Sequence, residues 1–508
     1  MSLRENTPSP TNLPSPTQTH AGLTVAEKLG YGLGDTASHF VWDMVGFWLL
    51  IFYTDVYKIP PAAAGAIMLI ARFWDMGIDP VVGMISDRTQ TRWGKFRPYI
   101  LFGAVPYAIL AVLTFSTPNF GETGKIIYAC ATYALLMTAY AAVNIPYSSL
   151  AAVITSDTYE RAGVNQYRFI CAFVGMLVVS GLALTLAKYF GGGNEAMGYQ
   201  RTLILFGCLS VVFFFITFVT SRERVQPSKS LAGSVGEDLG NLFRNRPWII
   251  LALVGIVSFV MFAMQNSAIA YYFKYYVHSV SAENSMVVGS LQWLRALLIT
   301  CLQWVGVNKQ WEGNLGEPDV LLQCFNIIGT IALIIALPIS KPLARRFGNR
   351  NVFIASSIIS GLFFISLYLP GQKNVDAIFL LNILAKMSYA PAVPLLWTMI
   401  ADAADYSEWK MGRRATGLCF SAATFAQKAG WGIGAGIAGW LLAVFNYVPN
   451  AIQTHTALTG IKLLISVIPG ILYMSCAGFM IFYNIDSKTT DLMKNDLDAR
   501  RAKEQSVN

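Results

Sequence analysis

Long apolar stretches separated by short polar segments run through most of the chain. Crossing the hydrocarbon core of a bilayer takes roughly 20 mostly apolar residues. Uncharged stretches of that order are residues 98–121, 126–156, 169–187, 202–220, 247–273, 320–340, 351–372, 429–461 and 463–485. Three further spans, which contain charged residues, are predicted at 31–54, 60–86 and 377–401. With the last apolar region divided into spans at 413–447 and 458–484, the pattern predicts an all-α membrane protein with twelve transmembrane helices.

The composition agrees with this pattern and excludes a soluble protein. Residues of the AVILMFWYC set make up 55% of the 508 residues, and charged residues make up 13%. A soluble globular protein carries about 25% charged residues, so this chain has too little polar surface to cover a water-soluble body of its size. Collagen, coiled coil and intrinsic disorder are excluded by the same figures.

The basic residues lie mostly between the predicted spans, and they predict an orientation. Segments 86–98, 221–246 and 341–350 are rich in Lys and Arg, whereas the alternate loops are poor in both. Cytoplasmic loops of membrane proteins carry an excess of Lys and Arg, so we expect both termini to be cytoplasmic. The same rule explains the net charge of +9 without a nucleic-acid ligand.

The spans divide into two halves of six, which predicts two six-helix bundles with a binding site at the membrane midplane between them. The expected parts are a disordered cytoplasmic tail, the first bundle, a central cytoplasmic loop, the second bundle and a second cytoplasmic tail. Their boundaries are 1–24, 25–220, 221–246, 247–485 and 486–508. An extra segment, 281–318, interrupts the symmetry of the second bundle, and the sequence does not assign it a structure.

Two carboxylates in the second span give the strongest indication of function. Asp75 and Asp79 are one helical turn apart and share a face with Arg72. An ionisable residue inside a membrane span is costly, so by default it indicates function. Paired carboxylates suit a small cation or a shared proton. The alternative is an Arg–Asp pair that only holds helices together.

The first span carries a second polar stripe, formed by Asp35, His39 and Asp43 at intervals of four residues. Three ionisable groups on one face must line protein or a water-filled cavity rather than lipid. His39 and Asp43 lie deeper in the span and are candidates for binding sugar hydroxyls or a proton. A structural role near the cytoplasmic end is equally acceptable for Asp35.

A few other polar residues lie within or next to apolar spans. Asn144 and Arg168 belong to the fourth and fifth spans, and Lys428 belongs to the eleventh. A buried Lys usually has a carboxylate partner, and we expect Asp75 or Asp79 to be that partner across the bundle interface.

Signatures of soluble enzymes do not explain the chain. Gly434, Gly436 and Gly439 match a dinucleotide-binding pattern, but they lie in an apolar helix without a preceding strand. Close helix packing through Gly432 and Gly436 accounts for these glycines better. With four histidines and seven scattered cysteines, neither a metal site beyond a possible Na+ at the paired aspartates nor a disulfide framework is predicted. We therefore expect no catalytic residues.

Several short motifs occur in a specific order between residues 25 and 485. They are Tyr53-Thr54-Asp55-Val56, Arg72-x-Trp74-Asp75-x-x-x-Asp79-Pro80, Arg92-Trp93-Gly94-Lys95-Phe96-Arg97-Pro98, Asn144-Ile145-Pro146-Tyr147, Tyr167-Arg168-Phe169 and Asp402-x-x-Asp405-Tyr406-x-Glu408-Trp409-Lys410. Together they resemble the glycoside–pentoside–hexuronide:cation symporters of the major facilitator superfamily, of which melibiose permease is the type example.

The resemblance implies the major facilitator fold and a role for each group of residues. Asp75 and Asp79, with Lys428, would bind the coupling cation. The substrate-binding positions would be His39, Asn144 and Arg168, and the stripe of the first span adds Asp43. Gating or structural roles would fall to Asp402, Asp405 and Glu408, and the analysis of the spans adds Arg72 and Asp35 to this group.

The resulting hypothesis is a secondary active symporter in the bacterial inner membrane. It would import a glycoside, pentoside, hexuronide or small oligosaccharide with Na+ or H+, act as a monomer in the lipid bilayer, and need no cofactor and no nucleic acid. A lysolipid or other amphiphile carrier on the same fold is an alternative, but the polar stripe of the first span argues against it. A non-transporting membrane sensor is another.

Overall fold

The chain is almost entirely helical wherever its structure is described. The structure is a computed structural model, and it describes residues 23–155, 158–224, 244–277, 300, 318–411 and 416–485, with scattered residues from 489 to 499. The predicted tail 1–24, the central loop 221–246, the extra segment 281–318 and the tail 486–508 therefore lie largely outside the described residues.

The first half of the chain contains six long helices. They are α1 (Val25–Ile51), α2 (Pro61–Arg88), α3 (Arg97–Thr114), α4 (Glu122–Ile154), α5 (Thr158–Gly191) and α6 (Glu195–Thr220). Local sequence sets several of their starts. Thr24 and Glu27 form a reciprocal capping box before α1, and the Asn194 side chain accepts a hydrogen bond from the backbone of Met197 before α6.

The described part of the second half contains nine helices where six spans are predicted. Its helices are α7 (Arg246–Tyr271), α8 (Pro318–Ala336), α9 (Ser340–Phe347), α10 (Asn349–Ser366), α11 (Val375–Tyr389), α12 (Ala392–Met411), α13 (Thr416–Val444), α14 (His455–Ile465) and α15 (Val467–Ile481). The number exceeds six because two predicted spans are broken and the short α9 follows α8 after a 3-10 turn at Leu337–Ile339. Pro391 separates α11 from α12, since proline lacks the amide hydrogen that a continuous helix needs. A break at Ser466 separates α14 from α15.

The helices have the length and composition of membrane spans. Within the described residues, 9 helical segments are long and apolar enough to cross a membrane. Helices α1, α10 and α13 are not in that set, although their 27, 18 and 29 residues suffice in length. The count of twelve spans therefore stays a prediction.

The helices pack in two groups that meet along a few helix pairs. In the first group α1 packs against α5 and α6, and α4 packs against α2 and α3. In the second group α7 packs against α13 and α15, and α10 packs against α11 and α15. Contacts between the groups are made mainly by α2 with α13, α1 with α7, and α5 with α8.

Glycines allow α13 to lie close to helices on both of its sides. A Cβ on Gly432 would lie 2.4 Å from Arg72 Cβ of α2, and one on Gly434 would lie 2.1 Å from the Val260 carbonyl oxygen of α7. Small residues permit this approach of one backbone to another. The predicted packing role of these glycines fits this arrangement, and it brings Lys428 of α13 onto α2.

A partly buried carboxylate holds the loop before α3 in place. Glu223 accepts hydrogen bonds from the backbone amides of Lys95, Phe96 and Arg97 at 2.8, 2.8 and 3.1 Å. A carboxylate at a helix N-terminus satisfies amides that have no partner within the helix. Gly94, with φ of 110°, passes so close to Glu223 that a side chain would collide with the carboxylate.

Candidate functional site

The paired aspartates of α2 meet a lysine from the other helix group. Lys428 Nζ donates a hydrogen bond to Asp79 Oδ2 at 2.5 Å and lies 3.2 Å from Asp75 Oδ2. Asp75 is fully buried, and Asp79 is the more accessible of the two. The structure thus brings together the three residues that were predicted to form the cation site, and the contact joins α2 to α13.

A second cation balances the charge of these carboxylates. Arg72 Nη1 lies 4.0 Å from Asp75 Oδ2, and the side chain is buried. Its guanidinium packs over the Trp42 ring at 4.2 Å from the ring centroid. Two carboxylates and two cations make a compact, nearly neutral cluster, which lowers the cost of burying charge.

Some carboxylate oxygens of the cluster remain open to a ligand. Asp75 Oδ1 and Asp79 Oδ1 are buried and accept no hydrogen bond from any described residue. Carboxylate oxygens are the ligands that hard cations such as Na+ prefer, and they also accept protons. The residues therefore fit a monovalent cation or a proton, with Lys428 as the competing positive charge.

The residues of the predicted stripe of α1 form two separate side-chain pairs. His39 Nδ1 lies 2.9 Å from Asp43 Oδ2. Asp35 instead accepts a hydrogen bond from Arg168 Nε of α5 at 2.7 Å. His39 and Asp43 stay together as predicted candidates for sugar binding, whereas the guanidinium of Arg168 is already engaged by a carboxylate.

The Asp35–Arg168 pair is held by residues of α1 and α4. The rings of Tyr31 and Tyr147 stack with centroids 4.7 Å apart, and each hydroxyl donates to the backbone carbonyl of the other residue. Arg168 lies over the Tyr147 ring at 5.2 Å. Asn144 lies on α4 close to one turn before Tyr147 and is half-buried.

Aromatic side chains lie between the stripe and the carboxylate cluster. Trp42 stacks on Tyr140 with ring centroids 4.6 Å apart and meets Trp431 of α13 edge-on at 6.1 Å. Lys428 Nζ lies 5.8 Å from the Tyr140 centroid. Trp42 is thus in contact with Arg72 on one side and adjoins Asp43 in the sequence. The sequence analysis did not identify Trp42 or Trp431, because an aromatic residue in an apolar span gives no distinctive signal.

A second polar cluster, which the sequence analysis also missed, joins the two helix groups at the end of α1. We call it the Asp55 cluster; it comprises Asp55, Lys274, Tyr275, Tyr447 and Asn450. Lys274 Nζ donates to Asp55 Oδ2 at 2.6 Å, Tyr447 donates to Asp55 Oδ1 at 2.6 Å, and Tyr275 also donates to this carboxylate. The Asn450 side-chain amide donates to the Asp55 carbonyl at 2.7 Å.

A large cavity lies beside the Asp55 cluster rather than at the carboxylate pair. Its volume is about 310 Å³, and Trp48, Asp55, Glu195, Tyr199 and Lys274 are among its lining residues. Further contact between the groups comes from Thr185, whose hydroxyl donates to Gln323 Oε1 at 2.8 Å. The two groups are therefore closed together at this end.

The predicted gating carboxylates lie together on α12. Asp402 accepts a hydrogen bond from Asn349 Nδ2 at 3.5 Å, within the second group. Asp405 and Glu408 follow on the same helix. Nothing in this geometry tests a gating role for these residues, so that role stays a prediction.

Comparison with known proteins identifies the class. A family model described as MFS/sugar transport protein matches residues 30–311 and 314–487. The inner membrane symporter YicJ of Escherichia coli (strain K12) is 31% identical over 460 residues, covering 90% of this chain and 90% of that protein. The isoprimeverose transporter of Lactiplantibacillus pentosus is 30% identical over 487 residues, covering 95% and 93%.

Solved structures show the same fold. The crystal structure of a bacterial homologue of the human lysosomal transporter Spinster matches with a TM-score of 0.61 at 13% identity, covering 90% of this chain and 95% of that one. The chain belongs to the MFS/sugar transport protein family, a family of multi-pass membrane transporters. The predicted fold class and family are confirmed.

Proposed function

We propose that the protein is a secondary active symporter that imports a sugar together with Na+ or H+. The observation that carries this proposal is the position of Lys428 Nζ between Asp75 and Asp79, at 3.2 and 2.5 Å, across the contact of α2 with α13. A cation that binds these carboxylates would compete with the lysine for them. Cation binding then changes a contact between the two bundles, which is what a coupling site requires.

Competition between Lys428 and the coupling cation for Asp75 and Asp79 explains why the transport cycle would need both the lysine and the cation. Without a cation, Lys428 neutralises the buried carboxylates and holds α13 on α2. With Na+ or a proton bound, the lysine is released and α13 is free to move relative to α2. A ligand shifts a conformational equilibrium only through its different affinity for the two states, and this competition supplies such a difference.

The sugar would bind next to this site, on α1, α4 and α5. His39 and Asp43 offer a donor and acceptors for hydroxyl groups, and Asn144 and Arg168 extend the polar surface. Trp42 links this region to the cation site through its contact with Arg72. The substrate would be a glycoside, pentoside, hexuronide or small oligosaccharide, and the names of the relatives support a sugar.

The remaining features of the proposal follow from the fold and the loop charges. The protein would act as a monomer in the bacterial inner membrane with both termini cytoplasmic. The Asp55 cluster would then close the periplasmic side of the transport path. Asp402, Asp405 and Glu408 would belong to the opposite, cytoplasmic gate.

The decisive experiment compares binding with driven uptake in the same preparation. The purified protein is reconstituted into proteoliposomes, and a panel of radiolabelled glycosides and pentosides is tested under Na+ and H+ gradients. We expect Asp75→Asn and Asp79→Asn to remove gradient-driven accumulation while sugar still binds. Glu122→Gln, an exposed carboxylate at the start of α4, serves as the matched control and should transport normally. Full concentrative uptake by both aspartate variants would show that the coupling ion binds elsewhere.

A further inference from the structure

A second polar cavity lies in the carboxyl-terminal half and contains a lysine that the proposed mechanism does not use. Lys386 of α11 lines this cavity together with Gln265 and Asn266 of α7, Asn326 of α8 and Asn382 of α11. Counted from the start of α11, Lys386 lies roughly 16 Å along the helix axis at 1.5 Å per residue. That depth is near the middle of a hydrocarbon core about 30 Å thick.

Within the described ranges, the ammonium group of Lys386 has aromatic neighbours but no acidic partner. Its Nζ lies 5.4 Å from the Phe262 centroid and 5.9 Å from the Phe364 centroid. Among the described residues no carboxylate lies within salt-bridge distance of it, in contrast to Lys428, which has two. An ionisable group at this depth indicates a functional site by default, and an anionic ligand would supply the opposite charge that the described residues do not.

Other polar groups of the cavity also lack hydrogen-bond partners among the described residues. Asn326 Nδ2, Gln265 Oε1 and Asn382 Oδ1 are buried and make no hydrogen bond to any described residue. Gln265 is 4% exposed and Asn382 is 1% exposed. Buried polar groups without partners are rare in proteins, and a ligand is one of the established reasons for them.

Neighbouring residues hold the polar side chains of the cavity in defined positions. The Asn382 amide donates to the Phe325 carbonyl at 3.2 Å, which fixes the side chain between α11 and α8. Gly329 leaves the space for it, because a Cβ there would lie 2.7 Å from Asn382 Nδ2. With respect to the part of the chain that the structure describes, Lys386 Nζ and Asn326 Nδ2 are available as donors, and Gln265 Oε1 and Asn382 Oδ1 are available as acceptors.

The cavity also adjoins the candidate sugar-binding side chains of the first half. Phe47, which lies one turn beyond Asp43 on α1, and Met176 of α5 line it. A Cβ on Gly175, the neighbour of Met176, would lie 2.9 Å from His39 Cβ. The same two helices, α1 and α5, therefore border both His39 and the cavity around Lys386.

We propose that Lys386 and Asn326 bind an anionic group of the substrate, so that the transported sugar is an acidic one such as a uronide. Gln265 and Asn382 would accept hydrogen bonds from its hydroxyl groups. The volume of about 30 Å³ in this state holds about two water molecules, which suits a carboxylate group but not a sugar ring. The ring would lie toward His39 and Asp43. This inference rests on the proposed sugar transport.

The test uses pairs of sugars that differ only at one carbon. Binding of the methyl glycosides of glucuronate and galacturonate to the purified protein is compared with binding of methyl glucoside and methyl galactoside by calorimetry. Because a hydrogen-bonded charge is involved, we expect at least one uronide to bind about tenfold or more tightly than its neutral counterpart. Lys386→Met should remove this preference, and Lys386→Arg should retain part of it.

A matched control is available on α14. Lys462 also lies over aromatic rings, 4.3 Å from the Tyr368 centroid and 4.8 Å from that of Tyr276, but outside the cavity. Lys462→Met should keep the preference for uronides. Equal affinities for acidic and neutral sugars, or a preference that survives Lys386→Met, would overturn the inference.

The two proposals fail in different ways. If neutral glycosides are accumulated under a cation gradient without any preference for uronides, the symporter proposal stands and the role of Lys386 is wrong. If no sugar of either kind binds, both proposals are wrong.

Discussion

Asp55 and Lys274 lie in corresponding turns of the two halves of the chain and form an ion pair at 2.6 Å. Each lies in a π-helical turn, Phe52–Val56 or Tyr272–Tyr276, that ends the first helix of its half. Turns of this kind are often found at functional sites. These two turns therefore place one carboxylate and one ammonium group opposite each other, and their contact joins the two bundles at this end.

We predict that breaking this pair opens the closed end. Asp55→Asn leaves Lys274 partly buried without its carboxylate, and removing one partner of a buried pair costs about 3–5 kcal/mol. The state closed at this end should therefore be less populated. A cysteine introduced at Leu184, which lines the adjacent cavity, should react with a maleimide faster in Asp55→Asn than in the unaltered background.

Two controls make this result specific. Lys125→Gln removes another lysine at the same end, which bonds the Tyr57 carbonyl within the first bundle, and it should not change the labelling rate. The exchange Asp55→Lys with Lys274→Asp should restore slow labelling. An unchanged rate in Asp55→Asn would contradict a gating role for the pair.

The sequence predicted the helices well and the Asp55 cluster poorly, for a physical reason. Apolar length and charge at helical spacing are local properties, so the spans and the Asp75–Asp79 pair could be found from one segment at a time. The Lys428 contact could also be expected, because a buried lysine needs a carboxylate. Asp55, Tyr447 and Asn450 lie at span ends, where polar residues are ordinary. Only the fold brings them together.

The broken spans also show that hydropathy along the sequence does not locate every feature of the fold. The apolar pattern predicts a single span at 377–401, whereas the structure has α11 and α12 with an interruption at Pro391. Hydropathy averages over a window, so it detects an apolar stretch but not the place where the backbone bends. The local cause, a proline, is visible in the sequence once the break is known.

Variants of the Asp35–Arg168 pair should affect the stability of the protein and its transport activity differently. Arg168→Ala leaves Asp35 buried without a partner and should lower the free energy of unfolding by several kcal/mol, on the order of 3–5. The double variant Asp35→Asn with Arg168→Gln replaces both charges by neutral groups and should recover most of this loss. Thermal unfolding in detergent measures both.

Transport by the double variant then tests whether Arg168 also contacts substrate. We expect sugar uptake to stay low although the protein is stable, because the guanidinium is absent from the sugar-binding surface. Normal uptake by the stable double variant would show that the pair only holds α1 and α5 together.

Lys428 should compete with the coupling cation. In Lys428→Met the carboxylates of Asp75 and Asp79 lose the ammonium group that lies 3.2 and 2.5 Å away, so they should depend more strongly on an added cation. We expect the melting temperature of this variant to rise more steeply with Na+ concentration, or with falling pH, than that of the unaltered protein. Concentrative uptake should be lost, because the charge exchange between α2 and α13 is abolished.

The dependence of the melting temperature on Na+ concentration and on pH identifies the coupling ion. Melting curves at several Na+ concentrations and several pH values separate a Na+ site from a proton site, with choline as the inert replacement. Lys386→Met removes a lysine that has no part in this cluster, and its cation dependence should equal that of the unaltered protein. If the melting temperature of Lys428→Met depended on the cation in the same way as that of the unaltered protein, the lysine would not occupy the cation site.

His39 should act on the sugar and not on the cation. Its Nδ1 lies 2.9 Å from Asp43 Oδ2, which leaves the other ring nitrogen free to face a hydroxyl group. His39→Ala removes one hydrogen bond of about 0.5–1.5 kcal/mol, so the sugar should bind roughly three- to tenfold more weakly. Cation affinity, measured by Na+- or pH-dependent melting without sugar, should not change, because α2 and α13 hold that site. Equal losses of sugar and cation affinity would instead give His39 a role in coupling the two sites.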